Sequence, residues 1–387
     1  MKTLNSFLTA CATLIIILSG CSSSKKISGK RNENGIGSLR FLGEYVLPHK
    51  LQFENTTVGG LSGIDYDKKK DEYYMICDDP SANGPARFYT AKISLNEKGI
   101  DSISLLDMTP LLNTAGLPYP DIREDRTHSL DAEALRYNPA ADEFVYGSEG
   151  QRFKNPEGKL VIQNPTIYAV HRDGSFKDSF ELPQNMYIRS SENGPRHNSV
   201  FEGLTFTEDY RYLYASVEEP LYEDGPRAGT GDSSAVIRIL KFDTKTRRQV
   251  AQYGYKIDAV PYVPEPPGAF KINGVSDMLY AGAAKFIVTE RAYITGRRPS
   301  YIRVYLADAS AATDISSVNS VTGQSTIKLL TKKLLLNMES LGRFIDNIEG
   351  ITFGPVLSNG HQTLLFVADD NFADIQRSQF LLFEILP

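Results

Sequence analysis

The chain has 387 residues, 23% of them charged, and a formal net charge of −5. An acidic balance with no basic stripe argues against a nucleic-acid scaffold and against a basic membrane-binding patch. Three cysteines, Cys11, Cys21 and Cys77, are too few for a disulfide framework.

Taken in chain order, residues 1–20 contain one lysine, Lys2, and an apolar run from Ala10 to Leu18 that leads into Leu18-Ser19-Gly20-Cys21. The run is too short to cross a bilayer, so it predicts a lipoprotein signal peptide cut before a lipidated Cys21. Cleavage removes one Lys and no acid, taking the formal charge from −5 to −6. Residues 21–37, rich in Ser, Lys, Asn and Gly, read as a flexible tether between lipid and a domain at 38–387. The expected location is the bacterial cell envelope, exported and held on a lipid bilayer. Cys77 lies in the apolar run Tyr73 to Cys77 and is expected to be a buried, inert thiol.

From there one pattern recurs five times: Ser62-Gly63-Ile64, Glu133-Ala134-Leu135, Glu202-Gly203-Leu204, Asn273-Gly274-Val275 and Glu349-Gly350-Ile351. The Gly/Ala positions 63, 134, 203, 274 and 350 are separated by 71, 69, 71 and 76 residues, which indicates an array of one supersecondary unit. Each copy leads into a second apolar strand ending at Asp78, Glu149, Glu218, Glu290 or Asp369. In the third copy strands are expected at Phe201 to Phe206, Tyr212 to Val217, Ala235 to Phe242 and Gln249 to Ile257, with turn residues between them. Tyr, Phe, Val, Ile and Thr dominate these runs while Gly and Pro punctuate them, which excludes helices. Four short antiparallel strands per unit make an all-β β-propeller of five blades. The fifth copy ends one strand short, so Ser38 to Leu47 is expected to complete it and close the ring. Six blades result if Leu105 to Arg126 or Ala309 to Met338 hides a degenerate one.

In a propeller the start of each first strand and the end of each second strand share a face at the axis. Ser62, Glu133, Glu202, Asn273 and Glu349 should therefore form an inner ring beside Asp78, Glu149, Glu218, Glu290 and Asp369. Such carboxylates can cap turns, and the adjacent acids at 78-79, 218-219 and 369-370 suit that role. As a set they repel unless cations or protons neutralise them, and hard oxygen ligands suit Ca²⁺ first, then Mg²⁺ or Mn²⁺. The expected metal ligands are Glu133, Glu202, Asn273 and Glu349, with Asp78 and Asp369. Glu149, Glu218 and Glu202, with His128 and His197 from the preceding loops, are the candidate acid-base groups. Arg87, Arg126, Arg196 and Arg291 are candidates for holding an anionic group of the substrate. No G-x-S-x-G elbow, G-x-G-x-x-G loop or Walker sequence is present, so hydrolysis would use activated water rather than a covalent serine.

The stretch Gly59-Gly60-Leu61-Ser62-Gly63-Ile64-Asp65-Tyr66, with Tyr73 to Asp79 and Ala86-Arg87-Phe88-Tyr89, resembles the opening of the phytase-like domain family named for esterase-like activity of phytase. Phe201 to Phe206 with Tyr212 to Glu219, and Asn347 to Phe353 with Phe366 to Asn371, resemble its later motifs, and the resemblance runs from about Phe41 to Ile385. It implies a hydrolase of phosphoesters or other esters. The reading favoured is a lipid-anchored monomer that binds Ca²⁺ on its acidic face and hydrolyses an anionic small-molecule ester. The alternatives are a metal-dependent propeller lactonase and a non-catalytic propeller that holds structural Ca²⁺ and recognises an envelope ligand.

Overall fold

Five four-stranded antiparallel sheets and two short two-stranded ones make up the computed structural model, which describes residues 35–387 apart from 232 and 299. The signal peptide, Cys21 and nearly all of the tether lie outside the described residues. Blade 1 comprises Leu61–Asp67, Glu72–Cys77, Arg87–Asn96 and Gly99–Pro110. Blade 2 comprises Ala132–Asn138, Glu143–Ser148, Thr166–Val170 and Phe176–Ser179. Blade 3 comprises Phe201–Phe206, Tyr212–Val217, Val236–Asp243 and Arg248–Lys256. Lys271–Gly282, Lys285–Ile294, Tyr301–Asp308 and Thr331–Asn337 form blade 4. Blade 5 takes Asn347–Val356, Gln362–Asp369 and Gln379–Leu386 from the C-terminus and Ser38–Val46 from the N-terminus.

The closing strand pairs antiparallel with the last one from Ser38 opposite Leu386 to Val46 opposite Gln379. The pairing begins before the strand itself, since the Gly37 N–H donates to the Leu386 carbonyl at 2.8 Å. The tether expected to reach residue 37 is therefore already docked on blade 5 there. First strands of neighbouring blades contact one another all the way round, and that of blade 5 touches that of blade 1. The ring is closed by these contacts.

Alternation along each strand fills the gaps between blades. In blade 1, Tyr73, Met75 and Cys77 pack toward blade 5 with Leu365, Val367 and Leu382, while Tyr74 and Ile76 pack toward blade 2 with Leu135 and Phe144. Further apolar clusters fill the gaps between blades 2 and 3, 3 and 4, and 4 and 5. A strand buried on both faces presents apolar residues to both neighbours, which is why these runs read as nearly continuous apolar segments. Cys77 sits in this packing as expected, donating its thiol to the Gly59 carbonyl, and burial pushes the thiol well above its ordinary range.

Neither long stretch hides a sixth blade. Leu105 to Pro110 ends the fourth strand of blade 1, and the segment beyond it is a loop tied by a Leu112–Pro118 bridge. Residues 309–330 are an excursion that docks on blade 3. There the buried Arg238 holds Asp224 through Nε at 2.6 Å and Nη2 at 2.9 Å, and donates to the Val318 carbonyl at 3.0 Å. Ile315 and Val321 cover Val236 alongside.

Candidate functional site

The strand ends that meet at the axis are shaped by a bulge. The first strands of blades 1, 2, 3 and 5 shift register between Leu61 and Gly63, Ala132 and Ala134, Phe201 and Gly203, and Ile348 and Gly350. The extra residue at each is Ser62, Glu133, Glu202 or Glu349. A bulge re-aims one side chain out of the sheet alternation, which explains how the repeat delivers its polar residue to the axis. The following Gly/Ala permits the close approach: a Cβ on Gly350 would lie 3.0 Å from the Ile64 nitrogen, and one on Gly203 3.0 Å from the Met278 nitrogen.

Blade 4 departs from the expected alignment. Its corresponding register shift falls between Val275 and Asp277, so Ser276 is the bulged residue and Asp277 stands where the other blades have Gly or Ala. Val275 pairs with Glu290, which places Arg291 where the other blades carry Asp78, Glu149, Glu218 and Asp369. Bulge positions 62, 133, 202, 276 and 349 are spaced by 71, 69, 74 and 73 residues, a more even period than the Gly/Ala series gave. Asn273 and Glu290 therefore do not belong to the rings. Asn273 Nδ2 donates to Glu290 Oε2 at 3.0 Å, and Glu290 also takes the Tyr255 hydroxyl and Lys332, in a separate network.

The rest of the expected acids converge. Asp78, Glu133, Glu149, Glu202, Glu218, Glu349 and Asp369 interact electrostatically around the axis and are joined by Asp131, which the sequence reading missed. Asp131 lies two residues before Glu133, just ahead of the strand and its bulge, so simple alternation does not mark it and only the fold brings it beside Asp78 and Glu133. Burial pushes all eight carboxyls above their ordinary range, and in Asp78, Glu133 and Glu202 the neighbouring acids add to the shift. Two triads, Asp78/Asp131/Glu133 and Glu133/Glu149/Glu202, each offer three oxygens within 4.8 Å of one another. That span is about twice a Ca²⁺–oxygen distance of ~2.4 Å.

The buried oxygens of this set want a ligand. Glu149 is fully buried, its Oε1 accepts from the Val200 N–H at 2.5 Å, its carboxyl lies against that of Glu202, and its Oε2 has no other donor. An unpartnered buried carboxylate oxygen costs its full desolvation, which a bound cation removes. An all-oxygen donor set of carboxylates fits a hard divalent ion, and no histidine or cysteine belongs to either triad.

On the opposite side of the ring Arg291 takes the cation's place. Its Nη2 lies 3.0 Å from Glu218 Oε1 and 3.5 Å from Glu349 Oε1, and Nη1 donates to Asn347 Oδ1 at 2.8 Å. Burial pushes Glu218 up to about 7 although Arg291 pulls it down. The acidic pairs meet the turn-capping expectation in part. Asp79 accepts from the Ala82 and Asn83 N–H groups, Asp370 from the Gly60 and Phe372 N–H groups and Asp369 from the Asn371 N–H, whereas Glu219 accepts from the Ser199 hydroxyl and pairs with Arg227.

The candidate cations separate in the same way. Arg87 is fully buried and holds Asp79 at 2.8 Å and the Thr57 carbonyl at 2.7 Å, while Arg196 donates to the Pro220 and Gly225 carbonyls, so both anchor loops and are not turned to the ring. His128 is exposed and pairs with Asp125 at 2.7 Å, away from the acids. Arg126 and His197 do stand beside Asp131, and both lower its carboxyl. Burial, then Arg126, holds the His197 imidazole below its ordinary pKa.

Deeper along the axis Arg136 crosses between blades. It donates to Asp277 at 2.8 and 2.9 Å, to the Ile64 carbonyl at 2.6 Å and to the Ile351 carbonyl at 3.2 Å, while Asp277 Oδ2 accepts from the Ile351 N–H. Both side chains are buried, and this pair ties blades 1, 2, 4 and 5 three residues inward of Glu133.

Comparison with known proteins places these features in context. Over 213 residues, 50% of this chain, it is 25% identical to an uncharacterized secreted protein of Arthroderma benhamiae, and the match spans 41% of that relative's length. Among solved structures, an endo-arabinase from Bacteroides thetaiotaomicron aligns with a TM-score of 0.41 and 9% identity, covering 85% of this chain and 95% of the arabinase. The periplasmic gluconolactonase of Pseudomonas aeruginosa aligns with a TM-score of 0.36 and 11% identity, covering 91% and 98%. Residues 56–372 match the family described as phytase-like, esterase-like activity of phytase, and the chain belongs to that family.

Proposed function

We propose that this protein is an exported, lipid-anchored hydrolase of anionic esters whose acidic ring works with a bound divalent cation, Ca²⁺ first. The observation that carries the reading is the buried, unpartnered Glu149 Oε2 among converging carboxylates. Membership of a family described by esterase-like activity supports a hydrolase, and a relative described as secreted supports export. A cation held by Glu133, Glu149 and Glu202 would supply Lewis-acid polarisation of the ester and would lower the pKa of a bound water. Glu218, held beside Arg291 with its carboxyl raised by burial, is placed to take a proton from water. Arg126 and His197 flank Asp131 on the accessible side, where they can hold the anionic group of the ester.

The test is a panel of phosphomonoesters, phosphodiesters, carboxylic esters and lactones assayed with Ca²⁺ and with chelator. Chelator-sensitive turnover that falls roughly a hundredfold in Glu202→Gln is expected when a positioned group is lost. A flat result across the panel removes the enzyme. A non-catalytic binding propeller is the second reading, favoured by one observation: Arg87 and Arg196, two of the four expected anion-holding arginines, are consumed by loop anchoring.

A further inference from the structure

Resting on the cation-dependent reading above, we infer that the ring takes two divalent cations bridged by Glu133, one between Asp78, Asp131 and Glu133 and the other between Glu133, Glu149 and Glu202.

Glu133 belongs to both triads, and a carboxylate has two oxygens and about four lone-pair sites, enough for two ions. Fully ionised, the five acids of the two triads carry five negative charges, which two divalent ions reduce to one. A single ion would leave three. The other half of the ring, Glu218, Glu349 and Asp369, already has a resident cation, because Arg291 contacts Glu218 and Glu349. An arginine in the fourth blade therefore confines cations to blades 1 to 3, where no described basic side chain forms an ion pair with the five acids.

The two positions differ in access. Glu133, Glu149 and Glu202 are buried, whereas Asp78 and Asp131 are partly exposed. The inner position, with the orphaned Glu149 Oε2, is enclosed and is the tighter one. The outer position opens toward Arg126 and His197 beside Asp131, so it is the one that exchanges ligands with solvent and meets an anionic group. One ion is structural and the other is presented to the substrate.

Chelator-stripped protein titrated with CaCl₂, by calorimetry and by equilibrium dialysis, gives two ions per chain with affinities at least roughly tenfold apart. Asp131→Asn removes the weaker ion and keeps the tighter one. Glu133→Gln removes both, and Glu349→Gln keeps both. One ion per wild-type chain overturns the inference, a result that needs no variant to fold. So does a Glu133→Gln chain that retains circular dichroism and still binds one ion. Two ions with no turnover on the ester panel uphold this inference and remove the hydrolase. One ion with turnover does the reverse.

Discussion

Arg291 and Glu218 form an ion pair at 3.0 Å that crosses from the second strand of blade 4 to the strand end of blade 3. The arginine is a resident counter-charge in a ring otherwise made of acids. Arg291→Met leaves Glu218 and Glu349 buried without it, and breaking a buried pair from one side costs about 3–5 kcal/mol. The expected outcome is a lower melting temperature at pH 7.5 that Ca²⁺ restores only in part. Thermal melts with and without Ca²⁺ check it; unchanged melting would mean the pair is solvated.

The pH dependence of the metal-free protein has a definite sign. A carboxyl whose pKa is raised on folding stabilises the fold while protonated. Its contribution is full below the unfolded value of about 4.3. For Glu218 that contribution is lost as the pH rises toward about 7, and the other ring acids shift in the same direction. Stripped protein should therefore melt at a lower temperature at pH 7.5 than at about pH 5. Saturating Ca²⁺ should flatten or reverse that slope by binding the folded state. Melting scans across this range, with chelator and with Ca²⁺, decide it.

Closure of the ring by its two termini predicts one cooperative unit. Deleting Ser38–Val46 exposes the edge of the Gln379–Leu386 strand and the apolar surface that Leu42 and Tyr45 cover. The whole domain should lose stability, in a single transition. Leu382→Ala, at a fully buried position between blades 5 and 1, should cost about 2–5 kcal/mol in urea unfolding. A truncation that melts like the full chain would refute closure.

The axial pair Arg136 and Asp277 should behave as one unit in a double-mutant cycle. Arg136→Leu alone leaves Asp277 buried and unpaired, at about 3–5 kcal/mol. Adding Asp277→Leu should recover part of that loss, so the two effects fall short of additivity. Calcium stoichiometry should be unchanged in both variants, because neither residue belongs to the acidic triads.

Much of this fold is legible in the sequence because each blade repeats its local solution. The Gly or Ala that lets inner strands approach, the bulged acid before it and the apolar runs after it recur close enough to a fixed period to be seen. The first two strands of blade 3 lie where the sequence predicts them, Phe201–Phe206 and Tyr212–Val217. Blade 4 misleads because its inner hairpin is longer, Lys271–Gly282 with Lys285–Ile294, and Asn273-Gly274-Val275 imitates the motif three residues early. Only the register shift at Ser276 reveals that Arg291, not Glu290, faces the acids. Arg136 with Asp277 is illegible for another reason: the partners are 141 residues apart and belong to no local pattern.

Arg136 also bears on passage along the axis. Its guanidinium is bonded to the Ile64 and Ile351 carbonyls and to Asp277, so strands of three other blades are tied together beneath the carboxylates. On the proposed hydrolase reading, a ligand that reaches the acids comes from their own side of the ring, and a product that keeps its anionic group would compete there with fresh substrate.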